Sequence, residues 1–360
     1  MSKSRIHEPT SRRSFLSGEI FRPKPDEVST RATREMESQT AQYMEFSRRA
    51  MAEDFVIYTN AGEYIDAYDA ALEALDEVTR LEKLLSYFDE ESEISRINQL
   101  ADRDFVETTE EVYSILKYCN DLFFRTDGAF DITSTALWEA WGFMKRRPRL
   151  PSEEERREAL ERVSSRKILW DDARYALRFT QKGMRISLGS VGKGLATDAA
   201  SAILRASGME NFLLCGGVSS VFASGARRGR NDWLVGLQHP ASLKERLGEI
   251  PLENRALGTS GSATQFFWQN GKRYGHVLDP RSGLPVTNVL SVSVVAPTAA
   301  EADALATAFY VMGVDATRDF CKNRPDLSVL FVLPKVGSDC EIHFLGESCS
   351  FIPSKKERTL

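Results

Sequence analysis

The sequence predicts an α+β fold, with mixed or antiparallel sheets and helices packed on them, rather than a doubly wound parallel sheet. Three observations carry this. Short β-branched and aromatic runs cluster together, as at 212–215, 218–223 and 233–237. Tight polar turns join most of them. Helical periodicity is confined to a few well-separated stretches, chiefly 67–88, 192–207 and 299–312.

Taken in order, residues 1–49 are rich in Arg, Ser, Pro and Glu with little periodic hydrophobicity. They read as a flexible N-terminal tail, with a short helix around 36–49. The ordered domain is expected over 50–352, its first strand at Phe55-Val56-Ile57-Tyr58, followed by a C-terminal tail, 353–360. Residues 67–88 repeat apolar side chains at three- and four-residue intervals, the pattern of an amphipathic helix. Thr108 with Glu111, Ser152 with Glu155 and Thr298 with Glu301 each match a capping box at a helix start. The basic stretch from Arg146 to Arg149 links two halves. Beyond it, 167–170, 176–180 and 184–188 predict strands, and 192–207 a helix. Further strands are expected at 212–215, 218–223, 233–237, 265–268 and 290–295, then helix at 299–312 and 315–322, with 328–333 and 342–345 completing the sheet.

Composition narrows the function classes. The 360 residues are 42% hydrophobic and 28% charged, with a net charge of −5. That is an ordinary globular balance, and it argues against nucleic-acid binding. No apolar run approaches the roughly 18 residues of a membrane span. The five cysteines show no CxxC spacing, which argues against a disulfide framework or structural zinc site. The first 25 residues contain no apolar core of the kind a signal peptide needs, so a cytoplasmic location is expected.

Three segments carry candidate chemistry. Ile186-Ser187-Leu188-Gly189-Ser190-Val191-Gly192-Lys193-Gly194 fails the Walker pattern, because Gly rather than Ser or Thr follows the Lys. It remains a Gly-rich turn into a helix, which either packs closely or offers free N–H groups to an anion. Asp303 and Thr307, four apart, share one helix face. They form either a half-site for a hard cation such as Mg²⁺ or an exposed acid on a packing helix. Gly128-Ala129-Phe130-Asp131-Ile132-Thr133, followed by Trp138, Trp141 and Phe143, either holds a planar ring or simply fills core. A fourth segment, YGHVLDPRSGLP, places His276, one of only four histidines, at the mouth of a turn built from Asp279, Pro280, Gly283 and Pro285.

The order of these segments is informative. SYFDEESEISRIN, GAFDIT with LWEAWGF, SVGKGLATD, CGG, GTSGS, HVLDPRSGLP and APTAAEADALATA together resemble the ApbE family, the FAD:protein FMN transferases, from about residue 51 to 335. The resemblance implies a T-fold-like architecture with a tunnel-like FAD cleft. It implies Mg²⁺-dependent transfer of FMN from FAD to a Thr or Ser of an acceptor flavoprotein, releasing AMP. Hydrolysis of FAD to FMN and AMP, or FAD binding without turnover, are the alternatives. Carried over by position, Asp303 and Thr307 become metal ligands, with Ala306 and the Gly192 backbone nearby. Met51, Phe88, Asp131, Ile132, Thr133, Gly189, Lys193, Leu195 and Leu278 fall at flavin-site positions. His276 becomes the candidate base for the acceptor hydroxyl, a role Asp303 could share. The chain departs from the family at Ala50-Met51-Ala52 (usually Met-Gly-Thr), Phe88 (usually Tyr), Ser187 (often Asp), Leu195 (often Tyr) and Val218-Ser219 (usually Asp after CGG). Thr264 is a minor candidate for self-modification. With no export signal seen, an intracellular acceptor is expected.

Overall fold

From Tyr43 onward the chain is built around an eight-stranded sheet in which every neighbouring pair is antiparallel. The computed structural model describes residues 43–240, 242–262, 265–335 and 340–354. In chain order the elements begin with β1 (Tyr43–Ala50), β2 (Glu53–Asn60), α1 (Ala67–Leu85), α2 (Glu93–Leu100), β3 (Val106–Glu107) and α3 (Glu110–Arg125). There follow α4 (Thr135–Ala140), α5 (Glu153–Leu160), β4 (Ile168–Asp171), β5 (Ala176–Phe179), α6 (Gly192–Ala206), β6 (Phe212–Gly216), β7 (Ser220–Ser224) and β8 (Trp233–His239). The last are β9 (Ser242–Leu252), β10 (Arg255–Gly261), β11 (Phe266–Gln269), β12 (Lys272–Gly275), β13 (Ser291–Ala296), α7 (Ala299–Cys321), β14 (Ser328–Pro334), β15 (Cys340–Leu345) and β16 (Ile352–Pro353).

The main sheet runs β1-β2-β6-β7-β10-β13-β14-β15. Side chains of a strand alternate between faces, and both faces here are buried. On β14, Val329 and Phe331 join the helix-side core while Leu330 and Val332 face the other way. On β7, Phe222 points to the helices and Val221 and Ala223 away from them. Helices α1, α6 and α7 cover the first face, and the small sheet β16-β9-β8, through Trp233, Leu237, Leu247, Ile250 and Leu252, covers the second. A separate cluster of Ala136, Leu137, Trp141, Ala159, Val163 and Leu278 lies where α4 and α5 meet the turn after His276.

Several expectations shift. Residues 43–49 form strand rather than helix, because Met44 and Phe46 pack inward while Glu45 and Ser47 stay exposed, a period of two. The rest of that stretch, 36–42, lies outside the described residues, as do Thr264 and 355–360. Pro353 belongs to a short strand on β9 rather than to a tail. Thr109, not Thr108, caps α3, accepting from Val112 N. Ser152 and Glu155 form the full reciprocal box. Residues 184–188 join no ladder; the Asn98 side-chain amide instead bonds both backbone groups of Ile186, at 2.8 and 2.9 Å. Within α7 the helix breaks at Gly313, whose φ of 78° separates the two predicted helical stretches.

Candidate active site

The helix α7 is brought unusually close to its neighbours by glycine. A Cβ on Gly194 of α6 would lie 2.3 Å from the Ala299 carbonyl oxygen, and one on Gly258 of β10 would lie 2.4 Å from the Ala302 carbonyl carbon. Neither position tolerates a side chain, so α7 sits directly against α6 and β10. Its start is fixed by two caps. Thr298 Oγ1 accepts from Glu301 N, and the Asp198 carboxylate of α6 accepts from Ala299 N at 2.7 Å and Ala300 N at 2.8 Å. The first-turn N–H groups of a helix are unpaired otherwise, and an anion there also meets the positive end of the helix dipole. Burial nonetheless pushes the Asp198 carboxyl up to about 6.

One turn further, Asp303 is buried against this junction. Ser220 Oγ donates to its Oδ2 at 2.5 Å, and the Gly194 N–H donates to the same carboxyl. Burial raises its pKa to about 7; Ser220, Lys193 and Gly194 oppose the rise, and the Asp198 charge adds to it. A carboxyl in this state is only partly ionised near neutral pH, and a bound cation would favour the ionised form. Thr307, on the same face, shares a 3.0 Å hydrogen bond with Ser260 Oγ of β10, and Ala306 beside it is fully buried. The donors gathered here are oxygens: one carboxylate, hydroxyls and nearby backbone carbonyls. Among the described residues no cluster of three or more His, Cys, Asp and Glu exists. Oxygen donors of this kind are those that a hard divalent cation prefers.

The Gly-rich segment leads into this junction. Gly189 is exposed, and Gly192 N donates to Leu188 O as α6 begins. Leu195 is half-buried, packed against the main core. Ser187 N donates to Ile132 O at 2.9 Å, tying the segment to GAFDIT. Asp131, Ile132 and Thr133 are all buried. The Asp131 carboxylate accepts from Thr133 N, Thr133 Oγ1, Ser165 N and Ser165 Oγ, so its bonds are internal and staple this turn to the start of β4. Burial drives its pKa upward against those four donors. A cavity of about 360 Å³ borders this turn, lined by Gly128, Asp131, Ser164, Arg166, Pro280 and Arg281.

His276 follows the hairpin β11–β12. Its ring meets Trp138 edge-on, with centroids 5.7 Å apart, and lies 6.5 Å from Phe143. Its Nδ1 is 3.1 Å from the Gln265 carbonyl oxygen. A carbonyl only accepts, so Nδ1 carries the proton and Nε2 holds the lone pair. Burial lowers the pKa, favouring this neutral form. The turn behind it is held by Gly283 N to Asp279 O (2.7 Å), Asp279 N to Leu284 O (2.8 Å) and Trp141 Nε1 to Gly283 O (2.9 Å). Gly283 has φ 70°, and a Cβ there would lie 2.9 Å from Leu137. Leu278 is buried in the Trp141 cluster and bridges to Pro285.

Strand β10 connects the two halves. Ser260 bonds Thr307, and two residues on, Ser262 lies against Gly275, where a Cβ would be 3.1 Å from the Ser262 Cβ. On the other flank, Glu139 next to Trp138 accepts from Arg185 Nη1 (3.1 Å) and Tyr87 Oη (3.2 Å). Phe88 is 77% exposed, its ring edge-on to Tyr87 at 5.2 Å. Met51 sits at the two-residue β1–β2 turn with φ 51°, its N–H donating to Glu82 Oε1. The sequence alone assigned no role to Ser220, to Ser260 within GTSGS or to Asp198 at the end of SVGKGLATD. Their signal lies in the pairing of β7 and β10 and the crossing of α6 and α7, not in local spacing.

A model of the ApbE family matches residues 52–331. The FAD:protein FMN transferase of Treponema pallidum is 30% identical over 282 residues, covering 72% of this chain and 77% of that protein. The protein of that name in Escherichia coli K12 is 28% identical over 286 residues, 76% of this chain and 79% of its own length. The crystal structure of the ApbE protein from Thermotoga maritima superposes with a TM-score of 0.75 at 32% identity, covering 84% of this chain and 97% of that one. Flavinyl transferase ApbE of Pseudomonas stutzeri shares the fold, with a TM-score of 0.75 at 23% identity over 84% of this chain and 94% of its own. This chain belongs to the ApbE family.

Proposed function

We propose that this protein is an FAD:protein FMN transferase that moves FMN from FAD onto a Thr or Ser hydroxyl of an acceptor protein and releases AMP. The observation that carries the reading is the buried Asp303 with part-buried Thr307 beside it, joined through β10 to a histidine whose Nε2 has no hydrogen-bond partner among the described residues. Asp303 and Thr307, with Ser260 and the Gly192–Gly194 backbone close by, would hold Mg²⁺. When bound, that ion neutralises charge on the diphosphate oxygens.

The remaining roles fall to the chain itself. The Lys193 ammonium, together with the positive end of the α6 dipole, holds diphosphate oxygens at the start of α6. Phe88 and the Met51 turn offer apolar surface to the flavin or adenine ring. Asp131, Ile132 and Thr133, buried and bonded to Ser165 and Ser187, would brace the flavin side of the site from behind. The hydroxyl oxygen attacks the FMN phosphorus as His276 Nε2 takes its proton. The new O–P bond forms, the P–O bond to AMP breaks, and AMP leaves with the electron pair. Alignment and charge stabilisation supply most of such a rate enhancement.

Purified protein incubated with FAD, Mg²⁺ and candidate acceptor flavoproteins should yield an acceptor heavier by one FMN, and AMP in equal amount. FMN and AMP without labelled acceptor would replace transfer by hydrolysis. Tight FAD binding with no AMP would replace it by carriage.

A further inference from the structure

We infer that the basic, aromatic surface beside His276 is the docking site for the acceptor protein, and that it takes an extended, acidic segment. This rests on the transferase reading above. The chain as a whole is acidic, at −5, yet the segments 141–149 and 265–278 contain no Asp or Glu. They carry Lys145, Arg146, Arg147, Lys272 and Arg273, none of which has an ion-pair partner among the described residues, and Arg149, which pairs with Glu155. Ring contacts hold the two segments together: Phe143 lies 6.1 Å from Phe267, and Trp141 lies 5.7 Å from Tyr274.

The hairpin β11–β12 is a two-stranded ribbon. One face, Phe267 and Tyr274, is stacked inward at 5.2 Å. The opposite face presents Phe266 and Trp268, 38% and 65% exposed, with Arg273 stacked 4.1 Å over Phe266. No further strand pairs with the ribbon among the described residues, so its outer edges have backbone donors and acceptors to spare. Such an edge accepts an extended chain by strand addition, with alternate side chains supplying specificity. Aromatic and Arg side chains free of neighbouring acids are typical anchors of protein interfaces. Because His276 directly follows the ribbon, a segment paired along it would deliver its hydroxyl to Nε2. An unpaired cation cluster in an acidic protein selects a partner of opposite sign.

The test uses two fluorescent peptides of equal length, each with one Thr, flanked in one by Asp and Glu and in the other by Lys. Binding to the full-length protein is read by anisotropy, and FMN transfer by mass, with FAD and Mg²⁺ present. The acidic peptide should bind about tenfold more tightly than the basic one at low salt, and the preference should shrink as salt screens it. The triple variant Lys145→Glu, Arg147→Glu, Lys272→Glu should abolish or reverse the preference while FAD affinity, read by flavin fluorescence, stays unchanged. Trp268→Ala should weaken both peptides alike. Equal binding of the two peptides, binding of neither, or a preference that survives the triple variant would overturn the docking site. So would a single-stranded oligonucleotide that outcompetes the acidic peptide. Charge-selective binding without any transfer would leave the docking site standing and remove the transferase reading instead.

Discussion

Ser220 Oγ donates to Asp303 Oδ2 from a neighbouring strand of the sheet, and both groups are buried. Together with the Gly194 N–H, this bond orients the carboxylate and offsets part of the cost of burying its charge. Removing the hydroxyl with Ser220→Ala should raise the Asp303 pKa further above 7, since Ser220 is the main force opposing burial. Cation affinity measured at pH 7 should fall, and raising the pH should restore part of it. Asp303→Asn should reduce transfer by about 10²-fold or more, the scale of losing one preorganised electrostatic group.

Stability without a cation should depend on pH through the same group. The Asp303 carboxyl is raised from 3.8 to about 7 in the folded chain, so the fold binds more protons than the unfolded chain between those values. Its contribution is fully present below about pH 4 and is lost as pH rises through about 7. Asp198, raised to about 6, acts in the same direction. Thermal melts of the metal-free protein should therefore show Tm gaining more from Mg²⁺ at pH 8 than at pH 5. Asp303→Asn should flatten that difference.

His276→Ala should lower transfer by about 10²- to 10⁴-fold with little change in FAD affinity. Burial lowers the pKa of this ring, so it is neutral at pH 7. The acid limb of the rate profile belonging to His276 should lie below the ordinary value of 6.5. A limb above it would assign the base elsewhere.

The close crossing of α6 with α7 predicts a severe effect from a small change. Gly194→Ala puts a methyl 2.3 Å from the Ala299 carbonyl oxygen, a backbone atom that cannot rotate away. Overpacking of this kind costs about 1–3 kcal/mol, sometimes more. Denaturant unfolding should read that loss, together with weakened cation binding, because Asp303 moves with the helix.

Asp198→Ala should destabilise by about 0.5–2 kcal/mol, the range for losing a helix cap. Its carboxylate holds the Ala299 and Ala300 N–H groups from outside α7, so the change should also loosen Asp303 and lower transfer at fixed Mg²⁺. Unfolding and initial-rate measurements separate the two effects.

Much of the fold was legible locally. Period-two and period-3.6 patterns located β2, β6, β13, β14, α1, α6 and both parts of α7, and Ser152 and Thr298 announced their helices. Harder elements were those whose pattern is set by partners: β1 alternates weakly because its outer side chains are polar, and β10, Arg-Ala-Leu-Gly-Thr-Ser-Gly, reads as a turn until it is seen beneath α7. By itself, the sequence determined the residue types and order of the chemistry, namely the Asp303–Thr307 spacing, the histidine turn and the Gly-rich helix start, because these depend on neighbours in the chain. Only the tertiary structure decided that Ser220, Asp198 and Ser260 support Asp303 and its helix, that the Asp131 carboxylate faces inward, and that a Gln265 carbonyl sets the tautomer of His276. Those facts arise from strand pairing and helix crossing between segments far apart in sequence, where burial and dielectric are set, and no local pattern encodes them.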